Sequence, residues 1–526
     1  MKAALVLSRL DDLLNPIAVK ELRQAVNGRA VVSMLTLFLL LQLSILLLVL
    51  SLGERSAAEP VSLDAGRTVF EILQGILLGA CMLLVPLYAG VRLAAERSDS
   101  NVDLLFISAL RPRDIIAGKL QASIVLILLI FSACAPFMTF TYLLRGLDIP
   151  SIVLVLGLDF LIVLLCAQGA ILFGTMSVNA ILKALLGLAG LGLLVFLFSS
   201  TMTLSISLLQ AGLGSRLDSL DFWLAAGAVV GALVALIGLM FIWSVAIVSP
   251  PSANRMLPVR LYVLSCWLVS GGGVALLAHY YRRPALLYGW EWAFVALLGV
   301  QLLIAINERE QWGLRIRRTL PRRWWLRGPL FLLYSGSAGG ILFTVLLLVL
   351  TIALPTLALE YRGDLFSSSS SHYFSDFDYG NLLTLVLIAL YTFDYAMLAV
   401  GLRNVVLRSQ IPGPYTWVLA LLLVALGALL PWPILFLFQN EALRQGLINP
   451  WWQISNPFAT IYTCVVESDG DKAIYRDMCL LFLGGLGLLL LLGCLPWMAR
   501  QVRRFRPPEK ETRTRESGRS QASGAA

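Results

Sequence analysis

Charged residues are scarce in this chain of 526 residues. Asp, Glu, Lys and Arg make up 13% of it, whereas a soluble domain carries roughly 25%. Hydrophobic residues make up 59% of the sequence, more than one or two water-soluble cores could bury. The composition therefore excludes a soluble globular protein. It indicates an integral membrane protein without a water-soluble catalytic domain.

Residues typical of catalytic and metal sites are also few. The sequence has two histidines, His279 and His372, and no His–Cys group has the spacing of a metal site. The phosphate-binding loop G-x-x-x-x-G-K-[ST] does not occur, so we do not expect this chain to bind ATP in the usual way. We expect no catalytic residue, no metal and no cofactor, and therefore not an enzyme.

Long apolar runs, in contrast, are abundant. A helix needs about 20 apolar residues to cross the hydrocarbon core of a membrane. The sequence predicts an all-α polytopic membrane protein with about 12 transmembrane helices, surrounded by membrane lipids. The predicted spans are Ala30–Leu52, Val69–Leu93, Leu120–Leu144, Ser151–Met176, Leu185–Leu209, Asp221–Val248, Leu261–Tyr281, Tyr288–Ile306, Leu330–Leu359, Gly380–Leu402, Tyr415–Phe438 and Arg476–Met498.

Loop charge predicts the orientation. An even number of spans places both termini on one side, and the positive-inside rule assigns that side to the cytoplasm. The loop Asn307–Pro329 and the C-terminal tail are rich in arginine, whereas Glu360–Tyr379 is mainly acidic. Topology thus explains the net charge of +9 better than nucleic-acid binding does. The expected location is the plasma membrane, which in bacteria is the cytoplasmic or inner membrane.

The residues before the first span predict an amphipathic helix lying at the membrane interface. Asn15 is a suitable N-cap, Pro16 suits the first helical position, and Gly28 can end the helix. The alternative is a simple polar lead-in to the first span. The apolar face holds Ala18, Leu22, Ala25 and Val26, and the polar face holds Lys20, Glu21, Arg23 and Gln24.

The loop 94–119 is too polar to span a membrane and too short to fold alone. Val102, Leu105, Phe106 and Ala109 fall on one helical face, and Pro112 can open a second helix that runs into the third span. Apolar residues exposed in a charged loop are typical of a docking surface.

Several motifs around this loop resemble those of ABC-2 type permeases, the membrane subunits of ATP-driven transporters. The opening segment, with Asn15-Pro16 followed by Lys20-Glu21-Leu22-Arg23, is similar to the first helix of that family. Arg111 departs from the family pattern, which often has Ser or Thr before the loop proline. The loop motifs are Glu96-Arg97, Asp103-Leu104-Leu105, Leu110-Arg111-Pro112-Arg113-Asp114-Ile115 and Gly118-Lys119.

This resemblance implies a permease subunit, expected to be part of an exporter, powered by a separate ABC ATPase subunit that binds the ATP. It also implies that the loop docks the ATPase and couples it to movement of the spans. Phe106 is the expected centre of that contact. The implied docking residues are Glu96, Arg97, Asp103, Leu105, Phe106, Arg111, Pro112, Asp114 and Lys119.

The family core has six spans, and this chain has about twice that number. The second half has a weak similarity to the loop motifs, in Glu308-Arg309 followed by Leu320-Pro321-Arg322-Arg323. This similarity favours a second half-transporter, fused to the first and divergent from it in sequence. The alternative is an accessory membrane domain. A fused pair could work as a pseudo-dimer within one chain, whereas a single core would form a homodimer. The predicted regions are residues 1–29, 30–260 with the coupling loop 94–119, 261–499, and a disordered basic tail 500–526.

Three acidic residues fall within apolar runs, where an isolated charge costs at least about 2.5–3.5 kcal/mol on insertion scales. Two interpretations stay open for Asp159 and for Asp394: each belongs to a substrate path or charge relay, or each is a protonated or paired residue. For Glu291 the protonated or paired state is the favoured interpretation. Two other functions stay open: a membrane-embedded enzyme that processes lipids or glycans, and an ion-coupled carrier using Asp159 or Asp394. Cys464 and Cys479 are candidates for a disulfide. The sequence does not indicate the substrate.

Overall fold

The computed structural model describes thirteen segments of the chain, and every regular element in them is helical. Both ends of the predicted coupling loop 94–119 are helical, and its middle, residues 99–110 with Asp103, Leu105 and Phe106, lies outside the described residues. The described residues are 15–55, 65–98, 111–143, 147–176, 179–210, 217–250, 252–283, 285–321, 323–361, 376–407, 413–433, 453–466 and 470–508.

The chain divides into two compact units, Met1–Pro250 and Pro251–Ala526. In the first unit, a short helix α1 precedes six long apolar helices. These helices are α1 (Pro16–Val26), α2 (Arg29–Arg55), α3 (Ala65–Ser98), α4 (Pro112–Leu143), α5 (Ile149–Thr175), α6 (Ala180–Gln210) and α7 (Leu220–Val248).

The helices α3 and α5 form the centre of the first unit. They pack on each other, α3 also contacts α2, α4 and α6, and α5 also contacts α4, α6 and α7. Leu73, Leu77 and Val163 belong to the buried core that these helices share. The helix α1 packs mainly on α4, so it forms part of the helical bundle.

The second unit has the same number of long apolar helices, with short helices inserted between some of them. Its elements are α8 (Leu257–Tyr281), α9 (Ala285–Ala305), α10 (Leu314–Arg318), α11 (Trp324–Leu333), α12 (Ser337–Tyr361), α13 (Asp376–Gly401), α14 (Thr416–Leu429), α15 (Pro457–Val466) and α16 (Gly470–Arg504).

The order of packing in the second unit repeats that of the first. If the long helices of each unit are numbered one to six, the second helix contacts the first, third, fourth and fifth in both units. The fourth helix contacts the third, fifth and sixth in both units. The two units therefore share the neighbours of their second and fourth long helices, and in the first unit the third helix also contacts the first and the sixth.

The predicted fold class is confirmed: the protein is an all-α polytopic membrane protein. Eleven helices among the described residues are long and apolar enough to cross a membrane, and a shorter apolar stretch, Val32–Leu48, lies in α2. The closely spaced pair α8 and α9 matches two predicted spans joined by a short loop. Large apolar side chains such as Leu188 (69% exposed) and Val269 (76% exposed) point outward, which lipid tails tolerate and water does not.

The last helix extends beyond the boundary that the sequence predicted for the C-terminal tail. The tail was expected from residue 500, but α16 continues to Arg504 and Phe505 is buried. Phe505 packs edge-on against Trp312, with 5.2 Å between the ring centroids. This aromatic contact explains why the start of the basic segment is folded. Residues 509–526 lie outside the described part of the chain.

Candidate functional site

The helix α1 has the limits that its sequence predicted. The Asn15 side chain accepts a hydrogen bond from the backbone N–H of Ile17 at 3.1 Å, and Pro16 is the first helical residue. The helix ends at Val26, and Gly28 lies between it and α2. Capping and the fixed φ of proline are local effects, which is why sequence predicted them correctly.

The predicted polar face of α1 was wrong at one position. Lys20, Arg23 and Gln24 are exposed, but Glu21 is 4% exposed. Glu21 follows Ala18, which is fully buried, by three residues, and this spacing places both on one helical face. An acid is stable there only because it has charged partners.

Glu21 is the centre of a buried polar cluster. Its Oε1 lies 2.8 Å from Nζ of Lys119, and its Oε2 lies 3.8 Å from Nε of Arg92. The hydroxyl of Tyr88 donates to the backbone carbonyl of Glu21 at 3.2 Å, and Arg92 donates to that hydroxyl and to Gln24. The cluster therefore joins α1 to the end of α3 and to the start of α4.

Close backbone contact strengthens the junction between α1 and α4. A Cβ atom added at Gly118 would lie 2.8 Å from Cβ of Ile17, so glycine is required for this approach. The Asn15 side chain also donates to the backbone carbonyl of Asp114. The Gly118-Lys119 motif and the opening-helix motif, distant in sequence, thus meet in one site, which we name the α1–α4 junction.

Other predicted docking residues flank this junction. Glu96 and Arg97 belong to the last turn of α3, and Pro112 is the first residue of α4. Arg111 is exposed, and its carbonyl accepts from the backbone N–H of Asp114 at 2.9 Å. The predicted role of these residues in docking stays a prediction, as does that of Asp103, Leu105 and Phe106, which lie outside the described residues.

The second unit has a buried ion pair that the sequence analysis missed. Arg260, in the first turn of α8, is fully buried and pairs with Glu308, which follows α9. Arg260 also donates to the carbonyls of Leu332 at 2.8 Å and Tyr334 at 2.5 Å. Glu308 accepts from the backbone N–H of Gly336 at 2.6 Å. Burial raises the pKa of Glu308, and the adjacent Arg260 guanidinium opposes that rise.

The glycines that follow α11 make room for this pair. A Cβ added at Gly340 would lie 2.6 Å from a guanidinium nitrogen of Arg260, and one added at Gly336 would lie 2.8 Å from the Trp312 ring. Close packing at these two positions therefore requires glycine. The ion pair joins the start of the unit's first long helix, the end of its second and the start of its third. In the first unit Glu21 of α1, the helix that precedes the first long helix, joins the end of the second long helix and the start of the third, and there the acid lies on the N-terminal element.

The two acids predicted for a substrate path have different surroundings. Asp159 is 1% exposed and accepts a hydrogen bond from Gln74 at 2.7 Å. Asp394 is 4% exposed, and neither of its carboxylate oxygens has a hydrogen-bond partner. A Cβ at Gly487 would lie 2.6 Å from its Oδ1. Glu291 is buried in the second turn of α9, and a path through Asp159 or Asp394 stays a prediction.

Each unit has a cavity among its described residues. The first has a volume of about 130 Å³ and is lined by Phe38, Tyr88 and Leu126 among other apolar residues of α2, α3 and α4. The second has a volume of about 420 Å³ and lies between α8, α9 and α12, where Trp267 and Trp290 form part of its wall. Neither Asp159 nor Asp394 lines these two cavities.

Cysteine and metal chemistry add little to the candidate site. Cys464 and Cys479 lie in hydrogen-bond contact as free thiols, so their pairing as a disulfide stays a prediction. Within the segments that the structure describes, no group of three His, Cys, Asp or Glu side chains could hold a metal ion.

Comparison with known proteins adds no relative. No protein-family model matches the sequence, and neither the curated proteins nor the solved structures give a significant match.

Proposed function

We propose that this chain is the membrane-spanning permease subunit of an ATP-driven transporter of the ABC-2 type, working as an exporter with a separate ABC ATPase. The observation that carries the proposal is the buried ion pair between Glu21 and Lys119. It joins the two motifs on which the resemblance to that family rests, and they come from distant parts of the sequence. This chain would act in transport and not as an enzyme.

The α1–α4 junction would transmit force from the ATPase to the spans. The coupling loop 94–119 connects the end of α3 with the start of α4, and Glu21 joins α1 to both helix ends. A push on the loop would therefore move α1, α3 and α4 together. Because α3 also packs on α5 at the centre of the unit, such a movement could open one side of the bundle and close the other.

Contacts within each unit support the proposed topology, with both termini in the cytoplasm of a bacterial inner membrane. The ion pair between Glu21 and Lys119 requires the residues before the first span and those after the second to lie on one side. In the second unit, Nε of Arg317 donates to the carbonyl of Arg506 at 3.0 Å. That contact requires the loop after α9 and the end of α16 to share a side. Arginine enrichment assigns both places to the cytoplasm.

The repeated packing pattern supports a pseudo-dimer within one chain. Each unit has six long helices whose second and fourth members have the same neighbours, and each has a buried ion pair near helix ends. In this proposal the single chain supplies both halves of the permease. An accessory role for the second unit would not require the same order of helix packing.

The test is co-expression with an ABC ATPase encoded by a neighbouring gene. We expect the two proteins to co-purify, and we expect this chain in lipid vesicles to stimulate ATP hydrolysis. Phe106→Asp should abolish both effects by placing a charge in the docking surface. Phe458→Asp is a control for the effect of an added charge alone, because Phe458 is 71% exposed and lies outside the coupling loop, on the opposite side of the membrane in the proposed topology.

Full retention of co-purification and stimulation by Phe106→Asp would overturn the docking role of the loop. Solute uptake by vesicles that contain this chain alone, driven by an ion gradient, would favour the carrier instead. Modification of a lipid or glycan by the purified chain would favour the enzyme.

A further inference from the structure

The larger cavity is an open groove along one stripe of α8. Its wall includes Trp267, Gly271, Ala275 and His279 of that helix, which recur at about helical spacing and so lie on one face. From Trp267 to His279 the groove extends for about 18 Å, at 1.5 Å per residue. That length is more than half of the hydrocarbon core, which is about 30 Å thick.

The groove has a fixed and almost wholly apolar wall. Trp267 donates to Thr351 at 2.8 Å, and Trp290 donates to Ser270 at 2.9 Å, so both indole rings are held in place. Gly271 lets the Trp290 ring approach closely, since an added Cβ would lie 2.8 Å from it. The volume of about 420 Å³ is within the range of about 300–1,000 Å³ for small-molecule sites.

One end of the groove, at His279, lies near the C-terminal end of α8. Tyr280 and Tyr281 follow His279 and pack edge-on, with 5.0 Å between their ring centroids. Tyrosines at a helix end are typical of the interface between lipid tails and water. Arg282 and Arg283 come next, and both are exposed.

Arg282 has an unusual backbone conformation. It ends α8 in the left-handed region, with φ of 53°, where helices usually have glycine. Among the described residues, no other non-glycine residue has a positive φ. Such strain at a helix end is a reason to look for a function that needs the side chain. Arg282 follows the groove-lining His279 by three residues, so its positive charge belongs to the end of α8 at which the groove ends.

These features identify the occupant. Inside a bilayer, an acyl chain gains little by leaving other tails for an apolar groove, because lipid tails are as apolar as leucine. Selective binding must therefore come from the headgroup, and among the described residues the charged side chains just beyond the groove-lining part of α8 are Arg282 and Arg283. We infer that the groove holds one acyl chain of an anionic phospholipid, whose phosphate binds Arg282 and Arg283. This lipid site is independent of the proposed function.

The test uses the full chain in phosphatidylcholine vesicles that contain phosphatidylglycerol with a diazirine on one acyl chain. After irradiation, we expect the label on peptides of α8 and α12. Unlabelled phosphatidylglycerol should compete with the probe, and extra phosphatidylcholine should not. Equal competition by phosphatidylcholine would overturn the inference.

Two glycines give a matched pair of variants. An added Cβ meets nothing within 4 Å at Gly272 or at Gly273, but only Gly272 lines the groove. Gly272→Phe should fill the groove and reduce labelling at least severalfold, whereas Gly273→Phe should label like the unaltered protein. Full labelling of Gly272→Phe would show that the chain does not lie in the groove.

Arg282→Gly separates binding from folding. Glycine relieves the strained φ, so this variant should melt at the same temperature as the unaltered protein, or higher. With Arg283→Gln added, the amount of phosphatidylglycerol needed for competition should rise by about tenfold or more, given the contribution of each arginine near an anionic surface. Unchanged competition by this double variant would remove the arginines from the site.

Discussion

Glu21 and Lys119 form an ion pair inside the first unit, with 2.8 Å between Oε1 and Nζ. Their side chains are 5% and 4% exposed, and 98 positions separate them in the sequence. Removal of one partner from a buried pair leaves an uncompensated charge, whereas replacing both by apolar residues is often neutral. The pair is therefore suited to a double-mutant cycle.

Lys119→Met should lower the free energy of unfolding by about 3–5 kcal/mol, because Glu21 is left buried without its closest cation. The double variant Lys119→Met/Glu21→Leu should recover much of that loss. The measurement is thermal unfolding of the purified protein in detergent. Lys20→Met is the control: Lys20 is exposed on the same helix, and its loss should cost no more than about 0.5 kcal/mol. Glu21→Leu alone completes the cycle. If the costs of Lys119→Met and Glu21→Leu simply add up to the cost of the double variant, the two side chains do not form a direct pair.

Gly118→Ala should destabilise the α1–α4 junction by about 1–3 kcal/mol, since overpacking forces neighbouring atoms apart. The added methyl group would lie 2.8 Å from Cβ of Ile17. Gly157→Ala in α5 should do the opposite and stabilise by up to about 1 kcal/mol, because nothing lies within 4 Å of its added Cβ. Faster hydrogen exchange of α1 in Gly118→Ala, and not in Gly157→Ala, would locate the effect. Equal exchange would show that α1 tolerates the methyl group.

Asp394→Asn should leave the melting temperature unchanged or raise it, because the carboxylate oxygens have no hydrogen-bond partner to lose. If Asp394 is part of a substrate path, transport should nevertheless fall at least about tenfold, as expected for a functional ionisable residue within a membrane. The control is Asp477→Asn, which neutralises a carboxylate that is 65% exposed in the same unit. Unchanged transport in Asp394→Asn would remove Asp394 from the path.

Mild oxidation should link Cys464 to Cys479, because the two thiols already lie in hydrogen-bond contact. Disulfide formation proceeds through a thiolate, so the reaction should quicken as pH rises. Loss of both thiols from maleimide labelling would report the bond. In the Cys464→Ser variant, Cys479 should still react with maleimide after oxidation. If Cys479 no longer reacts in that variant, it forms a disulfide with a different cysteine.

The sequence was sufficient for features that depend on local chemistry. The limits of α1 followed from Asn15, Pro16 and Gly28, and the spans followed from apolar runs of sufficient length. A hydropathy window ends a span at a charge, which is why Arg260 was placed in the loop before the seventh span. The structure includes it in α8, paired with Glu308.

Long-range pairing was not predictable in the same way. Glu21 looks like a surface residue of an amphipathic helix, since nothing near it in sequence shows that Lys119 and Arg92 will surround it. The groove between α8, α9 and α12 likewise depends on three helices whose contact no local pattern encodes. One available signal was the run of glycines beside Trp267, which makes room for a neighbouring ring at Gly271 and leaves space at Gly272.

In the first unit the N-terminal partner of the buried ion pair is the acid Glu21, whereas in the second unit it is the base Arg260. This reversal affects how such a chain avoids misassembly. A protein with two similar helical bundles risks exchange of equivalent segments between them during folding. If α1 took the place of the start of α8, Glu21 would meet Glu308; in the reverse exchange, Arg260 would meet Lys119 and Arg92. Each exchange would bury like charges together, which is a strong penalty against the wrong partner. The two bundles can therefore share an order of packing and still keep their segments apart.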